Sequence, residues 1–279
     1  MNYKIKGRSK SSKSFLNGGD IHVGGRTSVC SEAPEQSELG SYYKPNIINK
    51  TLLKHWNSIP DALQQKPNLF VINGETIDGA NKKQIGQETW STNLQDQMND
   101  CVKLIDKIPY DDILLTRGSI YHDQLDATNI EEIMADRLGA IRYKAYGGSG
   151  ATDWFANVQA NGKVFNYSHH IGFSKGLQTR AAALSREMAN MHYEYDKLGK
   201  VDVIIRSHVH YFVHVEFVHS HGIILPAWKY PDGHLFRGGV AGTTPDIGMV
   251  ETIIEPNGEI IIKKHIAEID MKAKVTQIV

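Results

Sequence analysis

Two pairs of residues able to bind a cation stand two positions apart in this chain: Asp20 with His22, and His208 with His210. In an extended segment, residues i and i+2 face the same side, so each pair can present two ligands to one point. Between them lie Glu75 and Asp78, then Ser119 with His122 and Asp123, then His169 with His170. Imidazole and carboxylate, with no cysteine among them, suit Zn²⁺, Mn²⁺ or Fe. Taken singly, each motif has a plainer reading. Asp-x-His is commonly a solvated loop pair, and a strand often carries a surface histidine. Their order and their placement behind apolar runs are what point to a metal site.

Those apolar runs are the elements that must do the positioning. Ser14 to Asn17 reads as a short strand ending in Gly18-Gly19-Asp20, and residues 24–46, polar and rich in Gly, Ser, Glu and Pro, as a long loop. A helix is expected from Asn49 to Ser58, with Leu52, Leu53 and Trp56 at helical spacing, and a buried strand from Asn68 to Asn73 that breaks into Gly74-Glu75. Residues 90–107 form an amphipathic helix, and Asp112 to Thr116 a strand that runs into Arg117-Gly118. A helix from Asn129 to Leu138 is stopped by Gly139. Trp154 to Ala160 and Lys163 to Ser168 flank Asn161-Gly162, a hairpin signal. Residues 176–198 read as the longest helix, Val201 to Arg206 as another buried strand, and the segment from Tyr211 as antiparallel strands with a second Asn-Gly turn at Asn257-Gly258. Five strand ends in succession thus deliver a carboxylate, an imidazole or both. In open α/β sheets ligands bind outside the carboxyl ends of strands, so these groups can converge on one crevice. The expected fold is α/β, with two packed mixed sheets and helices outside, in one domain over residues 14–279 behind a basic tail at 1–13.

Bulk numbers limit the partners. Lys+Arg (31) equals Asp+Glu (31), so no field across the whole protein draws in nucleic acid or an anionic membrane. No apolar run approaches the roughly 20 residues of a membrane span. The basic opening MNYKIKGRSKSSKSF is not followed by an apolar segment and cleavage site, so a secretory signal is not expected. Cys30 and Cys101, a lone far-separated pair, fit a reducing cytoplasm better than a disulfide.

In order, the ligand series D-x-H (Asp20, His22), G-[acid]-x-x-D-G (Gly74 to Gly79), G-…-H-D (Gly118 to Asp123), a lone His and S-H-x-H (Ser207 to His210) resembles that of calcineurin-like metallophosphoesterases. The resemblance covers roughly Asn17 to His210. Val71 to Gly79 and Arg117 to His122 look most like the phage and prophage branch, which would put the protein in a host cell's cytoplasm. The resemblance implies a calcineurin-like sandwich and two divalent ions, Mn²⁺ first and Fe, Zn²⁺ or Ni²⁺ as alternatives. Asp20, His22 and His210 would hold the first, and His169 and His208 would help hold the second. Glu75 would bridge them, and His122, steadied by Asp123, would meet the phosphate or leaving oxygen. A bridging hydroxide would attack phosphorus in line, with the two metals clamping attacking and leaving oxygens. The substrate would be a phosphate ester, a diester before a monoester, with nucleotides and nucleic acids among the candidates. Nothing in the residues sets the oligomeric state.

Two positions depart from the family pattern. The bridging acid is usually Asp and is Glu75 here. The usual Gly-Asn-His-Asp becomes Gly118-Ser-Ile-Tyr-His122-Asp123, so Ser119, a poor ligand, stands where the second metal's Asn would be. Asp78 is the fallback ligand for Glu75, and His169, the first residue past its strand, is preferred to His170. His214, His219, His221 and His234 read as strand-face or loop residues, with His234 a candidate for the substrate pocket. Glu131 and Glu132 read as helix punctuation, Trp90, Trp154 and Trp228 as core or rim. Two other functions fit the same motifs. One is a nuclease, which would need a basic groove with aromatics for stacking, for which the tail and Lys82-Lys83 offer little. The other is a non-catalytic module that kept the fold.

Overall fold

Continuous apolar runs, rather than alternating ones, dominate the strands, as expected where both faces of a sheet are covered. In the computed structural model of the protein this is how they are used. The structure describes residues 3–4, 11–80, 85–125, 128–143, 150–174, 176–193, 199–233 and 244–269, without the side chains of 3–4, 123–125 and 128.

The strands are β1 (Tyr3–Lys4), β2 (Lys13–Gly18), β3 (Glu35–Gln36), β4 (Ser41–Tyr42), β5 (Leu69–Asn73), β6 (Asp112–Thr116), β7 (Gln124–Leu125), β8 (Thr128–Asn129), β9 (Phe155–Ala160), β10 (Lys163–Ser168), β11 (Val203–Arg206), β12 (Val213–Phe217), β13 (Ser220–Ile224), β14 (Ile247–Ile254) and β15 (Ile260–Ala267). The helices are α1 (Ile47–Ala62), α2 (Leu94–Ile105), α3 (Ile120–Asp123), α4 (Ile130–Arg137) and α5 (Ala182–Tyr193). A five-stranded sheet has the order β15-β14-β2-β5-β6, and a six-stranded sheet the order β1-β9-β10-β11-β13-β12. Strands β2, β5 and β6 are mutually parallel, as are β10, β11 and β13. Each parallel set therefore gathers three carboxyl ends at one edge.

Alternation along the strands sorts the core into three layers. Phe15, Leu69, Val71 and Leu114 of one sheet meet Val158, Phe165, Tyr167, Val203, Ile205 and Ile223 of the other. The intervening residues Leu16, Phe70, Ile72, Ile113 and Leu115 turn outward to Trp56, Met98, Leu104 and Met134 on α1, α2 and α4. On the far side, Ile204 and Ile224 pack against Leu184 and Met188 of α5. The fold is thus mixed α/β, two mixed sheets face to face with helices outside.

Helix boundaries moved where capping or packing overrode periodicity. Helix α1 starts two residues before the expected Asn49, because Asn46 caps it, accepting from the N–H groups of Ile48 and Asn49. The long helix expected at 176–198 is a 3₁₀ turn at Leu177–Thr179 followed by α5, which buries only Leu184 and Met188. Residues 194–198 lie outside the described set. The long loop at 24–46 is anchored rather than free. Val29 and Cys30 are buried, β3 pairs with β4, and Ser31 and Ser37 donate to Asp100 and Asp96 on α2. Within the basic tail, β1 pairs with β9, while residues 5–10 lie outside the described set. Cys30 and Cys101 are free and buried. No helix among the described residues is long and apolar enough to cross a membrane.

Candidate metal centre

Six strands release their chains at the same edge of the sandwich, and each release carries a polar residue. Asp20 and His22 follow β2, Glu75 and Asp78 follow β5, and Ser119 and His122 follow β6. His169 and His170 follow β10, His208 and His210 follow β11, and Lys229 follows β13. Asn73, at the end of β5, ties these ends together. Its side-chain N–H donates to the Ser168 carbonyl and to Ser207 Oγ, both at 2.9 Å, and its Oδ1 accepts from Thr116 at 2.7 Å. Directly after it, Gly74 has φ +83, and a Cβ there would lie 2.6 Å from His169 Nδ1 and 2.7 Å from Gly118 Cα, so only glycine fits.

The backbone is strained where the candidate ligands sit. Seven described non-glycine residues have positive φ, and five are Asp20 (48), His22 (54), Glu75 (58), His208 (76) and His210 (59). Such conformations cost about 1–3 kcal/mol each and persist where surrounding structure over-determines them, often at functional sites.

The side chains form two adjoining groups. In the first, Asp20, His22, Glu75 and His210 bring ligand atoms within 4.8 Å of one another. His22 Nε2 lies 2.9 Å from Glu75 Oε2 and 3.2 Å from His210 Nε2, and His210 Nε2 lies 3.3 Å from Asp20 Oδ1. In the second, His169, His170 and His208 converge in the same way. Glu75 stands between the groups, with Oε2 on His22 and Oε1 3.2 Å from His169 Nε2. Its extra methylene, relative to Asp, does not stop it from reaching both.

Hydrogen bonds outside the cluster fix what its inner atoms offer. His169 Nδ1 faces the Asn73 carbonyl at 2.8 Å and must donate to it, which fixes the ring with Nε2 toward Glu75. His122 Nδ1 likewise meets the Asp78 carbonyl at 2.7 Å. Asp20 Oδ2 accepts from the His208 N–H at 3.0 Å, while Asp20 Oδ1 and His169 Nε2 are buried without a hydrogen-bond partner. A buried carboxylate oxygen and an imidazole nitrogen without a well-formed hydrogen bond in the same pocket are costly unless a cation satisfies both. The donor set of imidazoles and carboxylates is chemically suited to one.

Charge in the cluster says the same. Burial pushes the carboxyl groups of Asp20 and Glu75 up, but His169 with His210, and His169 with His122, outweigh it and hold both acids below the ordinary range. Burial lowers His22 and His169, yet Glu75 carries both up to about 9. The acids stay ionised and draw positive charge into the pocket. Burial instead dominates at His208 and His170, which are lowered, and at His122, lowered to about 4.

Several residues take places the sequence did not disclose. Ser119 lies against Glu75, its hydroxyl and its N–H (3.3 Å) both directed at Oε1. His170 joins His169 rather than replacing it. Asp78 lies behind His22: its Oδ1 is 3.3 Å from His22 Nδ1 and 2.7 Å from Lys229 Nζ. Lys229 is buried, 3.4 Å from Asp232, and these two acids raise its pKa against the effect of burial. Glu131, expected as punctuation, is fully buried and accepts from Thr76 N at 2.8 Å and Oγ1 at 3.0 Å, pinning the turn that carries Glu75. Trp90 and Trp228 are core residues and Trp154 is at the rim. The side chain of Asp123, and all of Lys82, Lys83, His234 and most of the Gly-rich segment at 146–150, lie outside the described residues.

No family model matches the chain, and no curated protein matches it. Solved structures do. YfcE, a phosphoesterase from E. coli, aligns at 13% identity and TM-score 0.41, covering 89% of this chain and 96% of its own. Vps29 from Entamoeba histolytica, in a complex with Zn²⁺, aligns at 11% and 0.41, covering 90% and 97%. An archaeal phosphodiesterase aligns at 12% and 0.41, covering 90% and 99%.

Proposed function

We propose that this chain is a metal-dependent phosphoesterase with a two-metal crevice. Asp20, His22 and His210 would hold one ion, His169, His170 and His208 the other, and Glu75 would serve both. The observation that carries the reading is the convergence of Asp20 Oδ1 and His169 Nε2, 3.9 Å apart and buried without a hydrogen-bond partner, beside a Glu75 carboxylate whose two oxygens face different histidines. The motif order that resembles calcineurin-like enzymes, and its phage branch in particular, agrees with this reading. Mn²⁺ is the first choice of metal.

When bound, such a pair supplies Lewis-acid charge at the phosphoryl oxygens and lowers the pKa of water. The chain's own residues do the rest. Asn73 and Lys229 with Asp78 orient the imidazoles, and Ser119 positions Glu75 by donating to it rather than acting as a ligand. His122, with Nδ1 on the Asp78 carbonyl and its ring 4.6 Å from that of His22, would meet the phosphate or leaving oxygen. A diester is taken before a monoester, as the motif resemblance implies, and the paired assay below decides between them.

The test is metal analysis of the purified chain together with hydrolysis of a nitrophenyl phosphodiester and monoester with Mn²⁺. The expected result is metal-dependent turnover, faster on the diester, that chelation abolishes. Bound metal with no turnover on either ester would leave a binding module and sink the enzymatic reading.

A further inference from the structure

Away from the crevice, the margin of the six-stranded sheet carries another group of ligand-type side chains. Strand β12 is the edge strand, and its His214 and Glu216, two apart, share one face. Strand β13 runs antiparallel beside it, with Glu216 opposite His221 and His214 opposite Ile223. His221 is thus directly across from Glu216 and diagonal to His214. Diagonal neighbours start roughly 7–8 Å apart, within reach of long side chains. Here the side chains close that diagonal. His214 Nε2 and His221 Nδ1 are 3.3 Å apart, and their rings stack at 5.5 Å and 17°. A Glu216 carboxylate oxygen completes a set whose members all lie within 4.8 Å of one another.

We propose that His214, Glu216 and His221 form a zinc-class cation site on the β12–β13 hairpin, separate from the crevice. Two nitrogens each about 2.0–2.1 Å from a tetrahedral ion stand roughly 3.3–3.4 Å apart. The observed 3.3 Å fits that edge, and the crevice pair His22 and His210 is spaced alike at 3.2 Å. A plain hydrogen bond between the two imidazoles would account for their spacing. It would not account for a carboxylate brought to the same point. The short loop Val218-His219 between paired Phe217 and Ser220 fixes the register, so the three donors are held by a backbone ladder and need little ordering to bind. Two imidazoles and one carboxylate select Zn²⁺ and its neighbours over Mg²⁺ or Ca²⁺, which prefer oxygen. Local charge is mixed, with Lys264 lining the surface beside His214 and Asp202 that beside His221. The ion would tie an exposed edge strand to its neighbour, and edge strands are where a sheet most needs such closure.

Zinc equivalents are to be counted on the full chain, free of any purification tag, by equilibrium dialysis. The wild type is set beside H214Q, H221Q and the double variant, each with its phosphoesterase rate. The proposal expects each variant to bind one zinc fewer than wild type, with hydrolysis unchanged. It also expects zinc to raise Tm less in the variants. Repeating the comparison in an Asp20→Asn background keeps it independent of the crevice. The one-equivalent difference must persist there whether or not the crevice holds metal. Equal zinc counts in wild type and double variant, in either background, would overturn the proposal.

Discussion

The two halves of the crevice differ in kind. Asp20, His22 and Glu75 are all but fully buried, and two of them are carboxylates. The other half offers imidazoles alone, with His169 buried but His170 and His208 exposed. Glu75 lies between them, and Asp20 reaches the second half at longer range, its Oδ1 3.9 Å from His169 Nε2 against 3.2 Å for Glu75 Oε1. Ligand charge and burial both favour the first, so the proposed crevice should hold one ion tightly and the other loosely. That asymmetry follows from where the strands end. The acids come from turns in the five-stranded sheet, whose outer face is covered by three helices. The second half's imidazoles come from the six-stranded sheet, which among the described helices is covered by α5.

The largest expected effect comes from breaking the tight half. Asp20→Asn and His210→Ala should each abolish hydrolysis while the circular dichroism spectrum stays native. Both sit past the strands, so the core is untouched, but each removes a ligand and Asp20 also removes charge. Comparable turnover in either folded variant would show that the buried half is not the reaction centre. Next in size is His122→Ala. Burial leaves His122 neutral in the free protein, with a pKa of about 4, so it must take up its proton when the anionic phosphate binds. A positioned acid of this kind is worth about 10²–10⁴ in rate, and turnover should fall by that order with metal content intact. Esters with poor leaving groups should lose more than nitrophenyl esters, whose leaving group needs no proton. Loss of metal instead would make His122 a ligand.

A smaller effect should come from behind the tight half. Lys229 Nζ holds Asp78, which faces His22 Nδ1. Such outer partners fix ligand orientation and typically alter metal affinity about 10–100-fold. Lys229→Met should weaken the tighter binding step by that order. It should also lower Tm, because Asp78 is left buried without its cation. Titration at a temperature where the variant is fully folded separates the two effects. Unchanged affinity with lowered Tm would make Lys229 a structural residue only.

The sequence carried more about ligands than about what holds them. Asp20, His22, Glu75, His169, His208 and His210 follow recognisable apolar runs, and the expected strands at 14–17, 68–73, 112–116, 163–168 and 201–206 lie close to β2, β5, β6, β10 and β11. The fold class followed from the same runs. Supporting residues leave no such trace. Lys229 sits among buried Ala227, Trp228 and Asp232 far along the chain, and only the pairing of β13 with β11 brings it to Asp78. Glu131 reads as an ordinary first-turn acid until α4 packs against the turn after β5 and Thr76 donates to it. As the first residue past its strand, His169 is the one the sequence favours over His170, yet both lie beyond the end of β10 and both rings approach that of His208.

The smallest effect concerns the loose half, where the proposed function has His170 take the place of the ligand that Ser119 does not supply. Ser119 is engaged with Glu75 through both its hydroxyl and its N–H, so it stiffens the shared acid. His170 is exposed, with its ring 4.7 Å from that of His208, and is free to turn toward an ion there. Titration of the apo-protein should therefore show two steps, with activity following the second. His170→Ala should leave the first step in place and weaken the second by about tenfold, or roughly 1.4 kcal/mol. Excess Mn²⁺ should restore full turnover to this variant, because a lost ligand on a solvent-facing ion can be replaced by water. Ser119→Ala provides the contrast. It removes one donor to Glu75 and should shift both steps together, since that carboxylate serves both halves. A single step with two equivalents in the wild type, unaffected by His170→Ala, would show that the halves bind as one unit and that the asymmetry of burial has no counterpart in affinity.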